Sequence, residues 1–508
     1  MILRSLKIFL FIQLLLIQVV VFAQDNQVNT DPNRDSRDDI FSAQSTEDHK
    51  LTILNGGLSS LQQRINLIEK AQKNIEVEYF IYHADETGRL LTHALIERAR
   101  EGVKVRVLLD HFLIKDEIDP FIAHELIEAG VEVRFYNTVP IIRIFDFQYR
   151  NHRKLLSIDD KFAITGGRNI GNEYFDMSND FNFIDRDIMV EGPIVKNMRK
   201  SFDAVWRSDP VKYVKRYKRP RKKDLRYRRS ARSSGRLRNY NSYLSDLKRW
   251  KDRARNAFQF MKVTNSDIEF KRKVFTLTLP QLEVAPFGIC NNISFTSDAP
   301  GMGRWARSEP FRKLRQDVFS RMRKVEQKLI IDSPYFILEK TTAQIINDLL
   351  DRNVSIDLLT NSLHSTDAIY VSSVFNDRIS PWIKRGLRPV VYSGNIMPGY
   401  ETLSQDVHLS RWGTHSKGVV FDEDSIMIGT FNFDPRSINY NTELAVFCDD
   451  NPDLASKMAL NIQDRIDNGI LLETAADVKK YEFTNVGLLK RLGYYLVKIP
   501  AALFDYML

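Results

Sequence analysis

Two segments of this chain match each other at fixed offsets, and that repetition constrains the fold more than any other feature. Residues 151–169 read NHRKLLSIDDKFAITGGRN, and residues 415–432 read HSKGVVFDEDSIMIGTFN. From each histidine a lysine follows at two, an aspartate at seven, a glycine at fourteen and an asparagine at seventeen. These are His152, Lys154, Asp159, Gly166 and Asn169 in the first copy, and His415, Lys417, Asp422, Gly429 and Asn432 in the second. Ordinary residue frequencies give such a pattern on the order of once in several million start positions. Two unrelated surface hairpins are therefore excluded.

The sequence leading into each copy repeats as well. NIEVEYFIY (74–82), GRLLTHALIERAREG (88–102), VKVRVLLD (103–110), IAHELIEAG (122–130) and VEVRFYN (131–137) read strand, helix, strand, helix, strand. QKLIIDSPYFI (327–337), TAQIINDLLDRN (342–353), VSIDLLTNS (354–362), NDRISPWIKRG (376–386) and LRPVVYSG (387–394) repeat that order before the second copy. The expected architecture is α/β: a pseudo-twofold duplication of two lobes, each with a mostly parallel central sheet covered on both faces. The lobes are expected at 51–210 and 311–475, with residues 211–310 as an insertion or linker, partly helical near SYLSDLKRWKDRARNAF.

The spacing carries a chemical logic. Residues two apart on a strand share a face, so each histidine and its lysine project together. Asp159 and Asp422 count among the catalytic residues as members of the motif, yet each, seven on, has opposite parity and is expected to fix the turn rather than to touch substrate beside its own histidine. The glycines permit close backbone approach, and Asn169 and Asn432 can each donate an amide to an oxygen. Two lysines and two asparagines meeting at one point form a clamp for a phosphate with an imidazole on either side. That suits in-line phosphoryl transfer through a histidine nucleophile, with the second histidine as general acid and then base.

These motifs resemble those of the phospholipase D superfamily, and the likeness extends over roughly residues 51 to 450. It implies one active site between the two lobes, a phosphohistidine intermediate and no required metal or other cofactor. The serine usual after the second glycine is replaced here by Gly167 and Thr430. Thr430 retains a hydroxyl for phosphate, whereas Gly167 offers only backbone. The resemblance also implies an acid that orients each histidine. DRDIMVEG aligned with NTELAVFCD assigns that role to Asp187 and Glu443. IYHADETGRLLTHALIERAREGVKVRVLLD, GGRNIGNEYFD, LLTNSLHSTD and GTFNFDPRSINYNTE are similar to bacterial cardiolipin synthases, particularly the two-substrate, periplasm-facing kind. The implied substrates are phospholipids, phosphatidylglycerol and also phosphatidylethanolamine, at a membrane surface. Water in place of the acceptor hydroxyl would make the same site a phospholipase D. Near-symmetry leaves the nucleophile open, and the family pattern favours His152.

Charge and chain ends sharpen the setting. The net charge is +9, but residues 212–238 alone hold fourteen Lys or Arg and one Asp, so the rest of the chain is net negative. That segment suits anionic lipid. Its interleaved Tyr213, Tyr217 and Tyr227 are also compatible with nucleic acid, the reading less favoured by the motifs. Arg4 and Lys7 precede an apolar run from Ile8 to Ala23, the layout of a secretory signal peptide or an uncleaved anchor. Either reading puts the catalytic part outside the cytoplasm, periplasmic or secreted. Residues 24–50 read as a polar linker. Residues 476–508 are amphipathic and suit either a bilayer headgroup region or packing on the core. Cys290 and Cys448 allow at most one disulfide.

Overall fold

The computed structural model describes residues 38–112, 117–140, 143–221, 233–283, 285–397, 400 and 402–503. The apolar N-terminal run, residues 24–37 and the centre of the basic segment (222–232) lie outside the described residues.

The first lobe runs β1 (Asn74–Tyr79), α1 (Glu86–Arg100), β2 (Lys104–Asp110), α2 (Pro120–Glu128) and β3 (Glu132–Tyr136). It continues with β4 (Leu155–Ile158), β5 (Phe162–Gly166), β6 (Phe181–Ile184) and β7 (Asp187–Glu191). Each strand of the first repeat is a short, largely apolar run buried at nearly every position. Asp85 and Asp119 cap α1 and α2, Asp119 accepting from the amides of Phe121 and Ile122 with Pro120 at the first turn. In sequence between the lobes come two successive helices, α3 (Ser233–Phe260) and α4 (Asn265–Glu283), which lie against helices of the first lobe.

The second lobe repeats the plan. It comprises β8 (Lys328–Asp332), α5 (Lys340–Asp351), β9 (Ser355–Asn361), α6 (Ile369–Arg378), β10 (Arg388–Tyr392), β11 (Arg411–Thr414), β12 (Gly418–Phe421), β13 (Ser425–Gly429), α7 (Pro435–Asn439) and β14 (Leu444–Cys448). The chain closes with α8 (Leu488–Leu503), packed on α6.

Each lobe holds a nine-stranded sheet. β1, β2 and β3 pair in parallel, as do β8, β9 and β10. Every other pairing in both sheets is antiparallel, which corrects the expectation of mostly parallel sheets. The reason is local: β4–β5 and β12–β13 are joined by tight turns, and a tight turn can only join antiparallel strands. The two sheets pack face to face around one shared core. In it Leu51, Ala163, Ile188 and Val190 of the first lobe meet Val420, Ile426, Ile428, Leu444 and Val446 of the second.

The lobe boundaries also shift. Residues 42–45, expected in a polar linker, form an edge strand of the second lobe's sheet, while His49–Leu54 joins the first lobe's. Inside the supposed insertion, Phe287–Cys290 extends the first sheet and Ile293–Ser297 the second. Cys290 and Cys448 are disulfide-bonded, with Cα atoms 6.1 Å apart, and so tie the two sheets together. The helices α3 and α4 are docked rather than free. Arg89 bridges to Asp267 at 2.7 Å, Arg253 to Asp119 at 2.8 Å, and Phe121 stacks on Tyr217.

Candidate active site

The hairpin turns anchor the motifs at the end remote from the histidines. Asp159 and Asp160 take left-handed backbone (φ 55° and 57°), as do Asp422 and Glu423 (47° and 62°). The Asp159 carboxylate accepts from the amides of Gln72, Lys73 and Asn74 at 2.7–2.9 Å, where the chain enters β1. Asp422 does the same for Glu326, Gln327 and Lys328 at the start of β8. Neither touches a histidine. Each clamps a hairpin to the neighbouring central strand.

At the other end the halves interlock. The His152 amide donates to Thr442 O (3.0 Å), just before β14, and the His415 amide donates to Ile184 O (2.8 Å), at the end of β6. β6 and β11 pair in parallel, one strand from each lobe. This exchange brings each histidine to an acid of the opposite half. His152 Nδ1 lies 2.9 Å from Glu443 Oε2, and His415 Nδ1 lies 2.6 Å from Asp185 Oδ2. Each carboxylate fixes the tautomer with the proton on Nδ1, leaving Nε2 with its lone pair free. No described residue hydrogen-bonds either Nε2.

Glu443 is where the repeat suggested. Asp187 is not a partner of histidine: it accepts from Ser60 (2.8 Å), Arg64 (3.0 Å) and Arg168 (3.0 Å). Asp185, two residues earlier, takes the role instead. The strand register explains the slip. Gly166 pairs with Asp187, whereas Gly429 pairs with Ala445, so the structural counterpart of Glu443 is Asp185. A two-residue offset leaves strand parity unchanged, and alternation could not detect it.

Thr430 also differs from expectation. Its hydroxyl donates to Glu443 rather than facing a phosphate, and Ser437 (2.8 Å) and Asn441 (3.3 Å) complete the set of donors to that carboxylate. Ser437 sits in the first turn of α7, started by Asp434 and Pro435. At the equivalent place Gly167 has no room for a side chain, because the Asp185 carboxylate occupies the space a Cβ would fill. Asn169 Oδ1 accepts from Ile81 N (3.3 Å), and its amide reaches Tyr174. Asn432 Oδ1 is buried without a partner and stands available to a ligand.

Lys154 and Lys417 each donate to the carbonyl of their own histidine, Lys154 at 2.7 Å. Burial lowers both ammonium groups. Lys417 falls to about 8 against the opposing charges of Asp185 and Glu443, and Lys154 falls well below its ordinary value with Lys417 adding to the effect. Burial, then the charges of Lys154, Lys417, His415 and Arg436, keep His152 neutral. His415 is lowered to about 4 by burial and Lys417, with Asp185 opposing. The carboxylates differ. Burial pushes Glu443 up to about 7 against Lys154 and its three donors. For Asp185 burial is outweighed by His415, Lys417 and Arg168, which hold it below the usual carboxylate range. Aromatic rings wall the site: Phe80 sits edge-on to His152 at 5.1 Å, and Tyr174, Phe183 and Tyr335 surround His415.

The chain matches the family model described as cardiolipin synthase, PLD-like domain, over residues 65–206 and 318–466, one match for each half and together more than half its length. It belongs to this family. The two matched regions coincide with the two lobes that supply the interlocked histidines. Within the family's relatives, cardiolipin synthase C of Escherichia coli (strain K12) is 28% identical over 406 residues, covering 77% of this chain and 79% of that protein. The major cardiolipin synthase of Bacillus subtilis (strain 168) is 37% identical over 164 residues, 32% of this chain and 34% of that one. Among solved structures, phosphatidylserine synthase of Haemophilus influenzae aligns with TM-score 0.59 at 16% identity, over 90% of this chain and 95% of that one. That likeness concerns fold: this cardiolipin synthase-family chain shares the duplicated phospholipase D architecture. Among the described residues no cluster of three His, Cys, Asp or Glu side chains is arranged to hold a metal.

Proposed function

We propose that this chain is an exported phosphatidyltransferase that forms cardiolipin from phosphatidylglycerol, with phosphatidylethanolamine as an alternative donor. The observation that carries the reading is the pair of crossed histidine–carboxylate contacts above two buried lysines. In the first step His152 Nε2 attacks the donor phosphorus, a P–N bond forms, and the P–O bond to the headgroup alcohol breaks. His415 gives its Nε2 proton to the departing oxygen. In the second step His415 takes the proton of the acceptor hydroxyl, whose oxygen attacks phosphorus as the P–N bond breaks. Lys154, Lys417, Asn169 and Asn432 hold the phosphoryl oxygens and offset the charge that develops on them. A bound phosphate anion raises both lysines and His415 back toward their charged forms.

The two histidines take different roles because their acids differ. Asp185 keeps its full charge on His415, which favours an imidazolium and hence the general acid. Glu443 spreads its charge over Thr430, Ser437 and Asn441, leaving His152 neutral and nucleophilic. Export is supported by the apolar N-terminal run and by the Cys290–Cys448 disulfide, a bond that persists in oxidising compartments such as the bacterial periplasm.

The test is product analysis by mass on purified protein with phosphatidylglycerol/phosphatidylethanolamine liposomes. Cardiolipin is expected, and each of His152→Ala and His415→Ala abolishes it. Phosphatidic acid as sole product would make the protein a phospholipase D. DNA cleavage without lipid turnover would overturn both lipid readings.

A further inference from the structure

One face of the C-terminal helix is left exposed among the described residues. Leu488, Leu489, Leu492, Tyr495 and Leu496 are 52–74% exposed, although Tyr494 on the same helix is fully buried. Positions 488, 492, 495 and 496 follow helical spacing, so the exposed side chains form one stripe and not a scatter. The buried side is firmly seated. Tyr494 packs with Leu363 and Val486, Lys498 bridges to Asp377 at 2.7 Å, and the helix lies along α6. A well-anchored helix that exposes four leucines and a tyrosine is covered by something in its working state.

The chemistry of the helix selects the occupant. LLKRLGYYLVKIPAAL contains Lys490, Arg491 and Lys498 and no Asp or Glu. Arg491 is bonded to the backbone carbonyls of Val486 and Phe483, with no carboxylate among its described partners, whereas Lys498 is paired with Asp377 and Lys490 is lowered to about 7 by burial and Arg411, with Asp367 opposing. A leucine stripe with Arg491 beside it, on a helix that holds no acid, suits the headgroup–acyl boundary of an anionic bilayer. The helix does not cross a membrane, since none of the described helices is long and apolar enough to do so.

Its position ties it to the site. Lys490 Nζ donates to the carbonyls of His364 (3.1 Å) and Thr366 (2.6 Å), and Arg411 donates to the same His364 carbonyl. The next residue, Asp367, accepts from the Tyr335 hydroxyl at 2.8 Å, and the Tyr335 ring stands edge-on to His415 at 6.5 Å. The helix thus anchors the 364–367 loop, whose Asp367 holds Tyr335, one wall of the site. We propose that the exposed face of α8 is the surface by which the protein seats on an anionic phospholipid bilayer, holding the site at the lipid from which its substrates come. This rests on the phosphatidyltransferase reading and names the surface through which that site meets its substrate.

The experiment compares the full chain with a Leu492→Ser/Leu496→Ser variant and with Leu489→Ser alone. Leu460→Ser, at an exposed leucine on another helix, is the control. Binding is measured by co-sedimentation with phosphatidylglycerol/phosphatidylcholine vesicles and with phosphatidylcholine vesicles, and turnover on vesicles and on short-chain phosphatidylglycerol below its micelle concentration. The double variant is expected to bind anionic vesicles at least ten-fold more weakly and to lose vesicle turnover in proportion. Leu489→Ser shifts binding in the same direction by less, and the control stays within two-fold of the parent. Melting temperature and turnover of the monomeric short-chain lipid remain unchanged. Undiminished vesicle binding would overturn the proposal, as would a parent dimer that the double variant dissociates. Absence of lipid turnover in the parent would sink the functional reading alone, because vesicle binding is read independently.

Discussion

Asp185 and Asp187 lie two residues apart, one in the link after β6 and one opening β7, yet their surroundings give them opposite duties. Asp185→Asn leaves the fold intact and presents His415 in the wrong tautomer. It is expected to lower kcat about 10²–10⁴-fold with little change in melting temperature. Asp187→Asn removes the carboxylate that Arg64, Arg168 and Ser60 share and strands buried cations. Its expected cost is about 3–5 kcal/mol of stability in denaturant titration, and the folded fraction keeps a normal pH profile. Equal activity loss in both, at equal stability, would refute the assignment. The lysines give a pH signature. Lys417, lowered to about 8 by burial, must be charged to meet phosphate, so kcat/KM falls as pH rises through about 8. In kcat the same limb moves upward, because bound phosphate favours the ammonium. Lys417→Arg stays charged at every working pH, so the limb near pH 8 should leave its profile, and any limb that stays belongs to Lys154, whose ammonium is also lowered.

At the scale of elements, the hairpin is the functional unit, and its two ends do separate work. Asp159→Ala or Asp422→Ala deprives three strand-entry amides of their acceptor, and an expected loss of about 1–3 kcal/mol appears in denaturant titration. Activity per folded molecule should stay close to normal, since these acids touch neither histidine. A hundred-fold kcat loss without destabilisation would return them to the chemistry. The turn-fixing role of both aspartates was legible from parity alone, as was the pairing of each histidine with its lysine. The five elements that the repeat gives before each motif lie within a few residues of their observed places, apart from α6, which begins seven residues before the expected 376, while the helices Gly57–Lys70 and Lys313–Lys324 were not read at all. Asp185 was not legible, because the acidic residue abutting the apolar run in the first half is Asp187, and a shift of two preserves every face. Nor was Thr430 as a Glu443 ligand: a hydroxyl beside a phosphate site and one beside a carboxylate look the same in sequence. The strands at 42–45, 287–290 and 293–297 are short, and they gain their strand character from partners far away in the chain.

At the scale of the molecule, neither lobe owns a complete site. Each supplies one histidine, one lysine and the acid for the other's histidine, so the shared core and the Cys290–Cys448 bond hold the chemistry in register. The disulfide joins residues separated by 158 positions, and reduction or Cys290→Ala should lower stability by about 2–4 kcal/mol in guanidinium titration. An unchanged midpoint would show that the bond adds nothing to the join. The crossed arrangement also explains why the motifs occur in pairs, since an isolated half would present a histidine with no acid to orient it. The most direct test of that account is to trap the covalent species. Purified protein mixed with chain-labelled phosphatidylglycerol, quenched in alkali within one turnover and mapped by peptide mass, should carry a phosphatidyl group on His152. The adduct should form as fast as headgroup is released and decay as cardiolipin appears. An adduct on His415 would reverse the two histidine roles, and cardiolipin formation with no adduct on either histidine would contradict the mechanism itself.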